Sequence, residues 1–528
     1  MSFRDNLSRS LLPLIFLFPK THVTFFPTKV MDIFLASLPI LTLIILMGLF
    51  KMPGDRSSVV TLIVTALVAG FGFSFPAIDI SFSFLYGMGK ALFPILFIIL
   101  MAIYSYNVLL QTGKIDVLRE QFSNLAADRS VQVLLITWGF GGLLEGMAGF
   151  GTAVAIPAAI LISLGYKPVF SALVSLLANS VPTAFGAVGV PVIVLSQETG
   201  LPLQHLSVSV VIQLSALMIL IPMVITFLTD SSGKALWKNL TLSILVGIVS
   251  LVVQYASARY IGAETPAILG AIASIAVIIA AGKFIDRKKP RSKSHLSAKE
   301  TLSAWSVYGL ILVLVLITSP LIPAVRNALS SVCVTTFPFV IQGHAKPLTI
   351  QWLTQGGILL FLGSFIGGLI QGASVGSLFT CLSRTVVQMW RTAVTVICLV
   401  GFSTIMELSG MTPVLAIALA TATGSLYPLF APAIGALGTF LTGSDTSANI
   451  MFGKLQASVG TQIGVSPDWL AAANTAGATG GKIISPQSIA IATSACNDQG
   501  REGAILKRAL PYALAYVIIT GLAVYIFA

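Results

Sequence analysis

Long apolar segments recur along this chain, and two pairs of them are interrupted by polar, glycine-rich and proline-rich sequence where only hydrocarbon belongs. The apolar segments run Ile33–Phe50, Val59–Phe75, Ala91–Leu110, Val131–Leu164, Pro168–Leu195, Leu206–Leu228, Leu240–Ala258 and Pro266–Ala281. They continue with Leu302–Leu321, Gly356–Phe379, Thr392–Leu408, Pro413–Phe430, Pro432–Leu455, Trp469–Ala495 and Leu510–Ala528. A membrane-crossing helix needs about 20 such residues, so the pattern predicts an all-α polytopic membrane protein of roughly 11–14 spans. A membrane β-barrel would instead show alternating segments of ~10 residues.

The interruptions predict more than spans. Val131–Tyr166 is too long for one straight crossing at about 1.5 Å per residue. Its one formal charge, Glu145, lies midway, beside Gly146, Gly149 and Gly151. Two half-depth helices joined at the glycines, a re-entrant hairpin over 131–166, fit this better. A broken helix over 168–195 follows, around Asn179-Ser-Val-Pro-Thr-Ala-Phe-Gly186. A second hairpin is expected over 432–455, with its tip near Gly443-Ser444-Asp445, and a second broken helix over 469–495 around Asn474–Lys482. Irregular backbone at membrane depth survives only inside protein or along a wet cavity, and paired interruptions in two halves point to a transporter's binding site.

A correspondence supports duplication. Asn179 precedes Pro191, and Asn474 precedes Pro486, by the same twelve residues, and Gly186 matches Gly481. The expected organisation is an extension (1–30), a first half (31–282), a basic cytoplasmic loop (283–301) and a second half (302–528). In the extension, Arg4, Arg9 and the apolar run Leu11–Phe18 resemble a weak signal segment without a cleavage site, and Met31 is the natural beginning. An inverted repeat is expected from the hairpins. Loop charges demand one more crossing between Ser303 and Ile350 to deliver it, with Ala328–Ile341 as candidate.

Composition agrees: 56% of residues are hydrophobic and only 9% charged, with mean hydropathy +0.95. The net charge of +12 resides in short loops, above all Lys283–Lys299. That is the positive-inside pattern, not a nucleic-acid surface. The four cysteines are scattered without ligand spacing, and the four histidines fall at termini or in loops. Neither a metal site, a disulfide framework nor a histidine relay is expected. Gly149-Phe150-Gly151 is no phosphate loop, and Gly481-Lys482 is followed by Ile483. No cofactor or ATP-driven pump is therefore indicated.

The chemistry left is that of polar groups at midplane. Half-helix N-termini offer free N–H groups to an anion. Asp445 at the second hairpin tip is an intramembrane carboxyl, functional by default and the candidate proton carrier; capping a helix is its plainer role. Lys482, midway between Asp468 and Asp498, is placed to neutralise a substrate carboxylate or to pair with Asp445. Glu145 suits either proton coupling or locking the hairpin to a neighbour. Asn179, Thr183, Asn474, Thr475 and Ser485 are candidate substrate donors. So is the backbone of Gly149, Phe150, Gly151 and Thr152, with Ser444 and Thr446. Glu407 reads as interfacial, and Arg384 and Arg391 as topology signals.

At these blocks the chain resembles the L-lactate permease family. The likeness lies in Glu145-Gly-x-Ala-Gly-Phe-Gly151, Pro182-x-Ala-Phe-Gly-Ala187, Phe440-Leu-Thr-Gly-Ser-Asp-Thr-Ser447 and Gly481-Lys-x-Ile-Ser-Pro-Gln-Ser-Ile-Ala490, and extends from about Met31 onward. Met147 stands where members usually carry alanine, Ala153 where many carry proline, and Arg326–Gln355 matches weakly. The resemblance implies a proton symporter of the bacterial inner membrane for L-lactate, D-lactate and glycolate, not an enzyme. A sodium-coupled carboxylate transporter and a passive anion channel are the alternatives. Oligomeric state is not set by the sequence.

Overall fold

Apolar helices carry almost the whole chain. The computed structural model describes residues 30–123, 128–149, 151–285, 297–496, 498 and 501–528. The extension up to residue 29, Phe150 and most of the basic loop lie outside the described residues. In order come α1 (Val30–Leu49), α2 (Gly54–Gly72), α3 (Ala77–Lys90), α4 (Phe97–Gln111) and α5 (Lys114–Ser123). Then follow α6 (Arg129–Met147), α7 (Thr152–Ser163), α8 (Pro168–Thr183), α9 (Gly186–Thr199), α10 (Leu203–Thr229), α11 (Gly233–Tyr260) and α12 (Pro266–Ile285). The second half holds α13 (Ala298–Thr318), α14 (Pro323–Ser331), α15 (Gly356–Ile370), α16 (Val375–Gln388), α17 (Trp390–Leu408) and α18 (Met411–Thr423). It ends with α19 (Tyr427–Thr442), α20 (Asp445–Ile463), α21 (Pro467–Lys482), α22 (Pro486–Ala495) and α23 (Glu502–Ile526). Eleven helices among the described residues are long and apolar enough to cross a membrane, or twelve if the bent pair α8–α9 is one span.

Ala328–Ile341 does not supply an extra crossing. Part of it lies in the short, exposed helix α14, and the rest enters the first two of four strands. Val334–Phe337 (β1) pairs antiparallel with Leu348–Gln351 (β4), and Val340–Ile341 (β2) with His344–Ala345 (β3). The threonines at 335, 336 and 349 favour extended backbone, and Gly343 takes the left-handed turn conformation (φ +75°). This ribbon rests on α3 and the segment after it through Phe339 against Tyr86 and Trp352 against Phe93.

Two hairpins and two broken helices stand at the centre. In the first hairpin, α6 and α7 meet at Ala148–Gly151. Its first arm, α6, has 19 residues, and 94% of its apolar window is buried in protein. In the second, α19 and α20 meet at Gly443, whose φ of +71° suits glycine. The broken pair α8–α9 bends by 47°, and the pair α21–α22 is interrupted at Ile483–Ser485. The start of α9 is strained: Ala187 (φ +46°) and Val188 (φ +60°) share left-handed backbone with Gly189. Such conformations cost side-chain-bearing residues about 1–3 kcal/mol each and persist where the surroundings enforce them.

The halves exchange contacts. Helix α9 packs on α20 while α22 packs on α7, and α10 packs on α21 while α23 packs on α8. The broken elements of each half therefore stand on the hairpin or broken helix of the other. A water-soluble maleimide is expected to label Cys333, which is exposed, while the buried Cys381, Cys398 and Cys496 react only after denaturation. Protection of Cys333 by the bilayer would restore the extra crossing.

Candidate functional site

The two helix breaks and the two hairpin tips converge on one cavity of about 400 Å³. Glu145 comes from α6, Gly149 and Gly151 from the first tip, and Thr183 and Gly186 from the first break. Ser444, Asp445 and Thr446 come from the second tip, and Lys482 from the end of α21. The rest of the wall includes α1, the start of α2, Ile99 of α4, the first turns of α9 and α22, and the N-terminal half of α17. Pro53 and Arg391 in this lining are exposed, so the cavity reaches the surface at the N-terminal end of α17.

Lys482 pairs with Glu145, not with Asp445. Its Nζ donates to Glu145 Oε1 at 2.9 Å and to Thr183 Oγ1 at 3.1 Å. The ammonium has three donors, and these contacts use two. Both partners are more than nine-tenths buried. A close pair in low dielectric holds only when both members remain, because removing one strands a buried charge. Gly186 makes the approach possible: a Cβ there would lie 2.7 Å from Glu145 Oε1.

Asp445 is different. It is 3% exposed, and neither carboxylate oxygen has a protein donor. The capping role belongs to its neighbour: Ser444 is the N-cap of α20, and its hydroxyl accepts from the Ser447 N–H at 3.2 Å. Asp445 occupies the first helical position with its carboxyl free. Glu145 Oε2 also lacks a protein donor. The cavity thus offers one buried cation with an unused donor and carboxylate oxygens that want protons or cations.

The other candidates separate into two groups. Thr183, Gly149, Gly151, Ser444 and Thr446 line the cavity, and Phe150 lies outside the described residues. Asn179, Asn474, Thr475, Ser485 and Thr152 are outside the lining. Thr152 Oγ1 donates to the Gly149 carbonyl, bracing the first tip. Asn179 Nδ2 donates to Thr183 Oγ1 at 3.2 Å. Asn474 Nδ2 and Thr475 Oγ1 both donate to Asn449 Oδ1 at 2.9 Å, and Asn449 Nδ2 donates to the Pro191 carbonyl. Ser485 caps α22 by accepting from the Ser488 N–H. These side chains fix the breaks rather than face the cavity. Sequence reading missed Asn449, whose polar neighbours Ser447 and Thr446 were the available signal. It missed Arg391 and Gln487 as cavity residues, because both sit at helix ends where polar residues are ordinary.

The family model for L-lactate permease matches residues 32–528. This chain belongs to the L-lactate permease family. An L-lactate permease of Streptococcus iniae is 40% identical over 83% of this chain and 93% of that protein. The glycolate permease GlcA of Escherichia coli (strain K12) is 32% identical over 92% of this chain and 94% of its own length. Among solved structures, the Neisseria gonorrhoeae MtrF efflux pump aligns at TM-score 0.48 and 13% identity, covering 85% of this chain and 84% of that one. The permease family accounts for a multi-pass membrane protein that is not an enzyme. No cluster of metal-binding side chains occurs among the described residues.

Within this permease fold the Glu145–Lys482 pair joins the two halves. Lys482→Met is expected to destabilise the detergent-solubilised protein by about 3–5 kcal/mol. Glu145→Leu combined with Lys482→Met is expected to recover most of that loss in thermal unfolding. Additive losses would show that the two groups act independently.

Proposed function

We propose that this permease is a secondary active transporter that carries L-lactate and related 2-hydroxymonocarboxylates, D-lactate and glycolate, with protons across the plasma (inner) membrane. The observation that carries the reading is Asp445: a buried carboxyl without donors, sharing a cavity with a buried lysine. The substrate class rests on the names of the relatives.

The substrate carboxylate takes the third donor of Lys482, while Glu145 and Thr183 keep the ammonium in place. An ionised Asp445 repels this second anion across a low-dielectric cavity. A protonated Asp445 becomes a donor and bonds the substrate carboxylate instead. Proton and substrate therefore favour each other's binding, and the coupling is reciprocal. The substrate hydroxyl faces the hydroxyls of Thr183, Ser444 or Thr446 along the same wall. Glu145 stays the partner of Lys482 and is the second proton site when that bond is released. The exchanged packing of α9, α20, α22 and α7 supports halves at 31–282 and 302–528 related by inverted duplication, with the breaks as the hinge of exposure.

The test is uptake of labelled L-lactate into proteoliposomes under an inward proton gradient without sodium. Transient accumulation above equilibrium, lost with a protonophore, is expected. Uptake that requires sodium would favour a cation at Asp445, and equilibration without accumulation would favour a channel. Asp445→Asn keeps a donor but carries no proton. It is expected to exchange lactate across the membrane while losing proton-driven accumulation at least tenfold. Full accumulation by Asp445→Asn would remove the proton from this residue.

A further inference from the structure

Four charged side chains gather away from the cavity. Lys90, the last residue of α3, meets Glu198 Oε1 at 3.0 Å. Lys454 on α20 meets Glu198 Oε2 at 3.0 Å and Glu407 Oε2, near the end of α17, at 2.7 Å. Glu198 and Lys454 are buried, whereas Glu407 is partly open to solvent. Two cations and two anions balance. Buried ion pairs are weak devices for stability, since an apolar replacement often serves as well. A network of this kind therefore asks for another explanation.

Its membership supplies one. Glu198 lies at the far end of α9, whose first turn lines the cavity, and Lys454 lies on α20, whose first turn carries Asp445. These two ride on the elements that form the site. Lys90 and Glu407 belong to α3 and α17, outside both hairpins and both broken helices. Helix α17 also gives the direction. Arg391 at its N-terminal end lines the cavity mouth, and Glu407 lies sixteen residues on, roughly 24 Å along a helix. Helices α9 and α20 likewise run from the cavity toward the cluster. The cavity opens at one end of this bundle, and the ion pairs close the other.

We propose that Lys90, Glu198, Lys454 and Glu407 form the closed barrier on the far side of the transport path. The inference rests on the transport reading above. When the site turns to the opposite face, Lys90–Glu198 and Lys454–Glu407 separate, while Glu198–Lys454 travels intact with α9 and α20. Separation along this line leaves the moving part with a neutral pair, and the opened barrier admits water to Lys90, so no single charge stays buried. Glu407, already partly exposed, passes to water. The same pairs re-form when the cavity again opens at Arg391, so the cluster biases which face is served at rest.

Cross-linking tests this directly. Lys90→Cys with Glu198→Cys, in a Cys333→Ser background, leaves Lys454 and Glu407 as a balanced pair. Bridging the two thiols through two disulfides with a short bis-methanethiosulfonate linker is expected to cut lactate uptake at least tenfold, and a reductant, which cleaves those disulfides, to restore it. Uptake by the bridged protein at the unbridged rate overturns the barrier. If the double variant does not fold, Glu407→Gln gives the second reading. A cysteine reporter, Ile491→Cys in the cavity wall, is expected to react at least threefold more slowly with an impermeant thiol reagent applied at the Arg391 face. Unchanged reactivity also overturns the proposal. The labelling needs no substrate, so failure of the parent protein to move lactate remains a separate result that counts against the transport reading alone.

Discussion

A buried ammonium and two buried carboxyl groups share one cavity, and the arrangement around them follows from that constraint. Taking charges out of water costs several kcal/mol each after relaxation. Glu145 and Lys482 offset this with a bond of 2.9 Å supported by Thr183. Asp445 has no such support. In the proposed reading, a proton on Asp445 removes the repulsion that a substrate anion would otherwise meet there. The three side chains come from different hairpins and helices, and the proposed coupling of carboxylate and proton rests on them.

Backbone irregularity is what brings those side chains together. Continuous helices would place Lys482 and Thr183 on walls with every N–H bonded internally. The breaks after Thr183 and Lys482, and the turns at Gly149–Gly151 and Gly443, turn helix ends toward the cavity. The cost appears as left-handed backbone at Ala187 and Val188. The buried amides of Asn449 and Asn474 hold the tip of the second hairpin against the first broken helix through the Pro191 carbonyl. Polar residues in the two blocks thus divide into those that meet the cavity and those that keep its walls in place.

Isolated charges in apolar sequence were the legible part. Glu145, Asp445 and Lys482 stand out because nothing near them in the chain explains a charge, and all three reach the cavity. Pairings were not legible. Glu145 and Lys482 are 337 positions apart, and local pattern carries no information at that separation. The same limit hid the outer cluster: Glu407 looked interfacial by its place near a helix end, but Lys454 reaches it at 2.7 Å. Asp445 was expected to cap or to act, and the structure gives the cap to Ser444. Ala328–Ile341 carries the pattern of a possible crossing, because short apolar runs do not distinguish strand from helix. Both ionic centres lie along α9 and α20, one near their first turns and one further out. A shift of these two helices would therefore act on substrate binding and on the far barrier at once.

The most direct measurement is the affinity of the purified protein for L-lactate as a function of pH, in the parent and in Asp445→Asn. One proton bound with each substrate gives a dissociation constant that weakens tenfold per pH unit once Asp445 is ionised in the free protein. The account requires that slope in the parent and its disappearance in Asp445→Asn. An affinity independent of pH in the parent, or an unchanged slope in the variant, would contradict it.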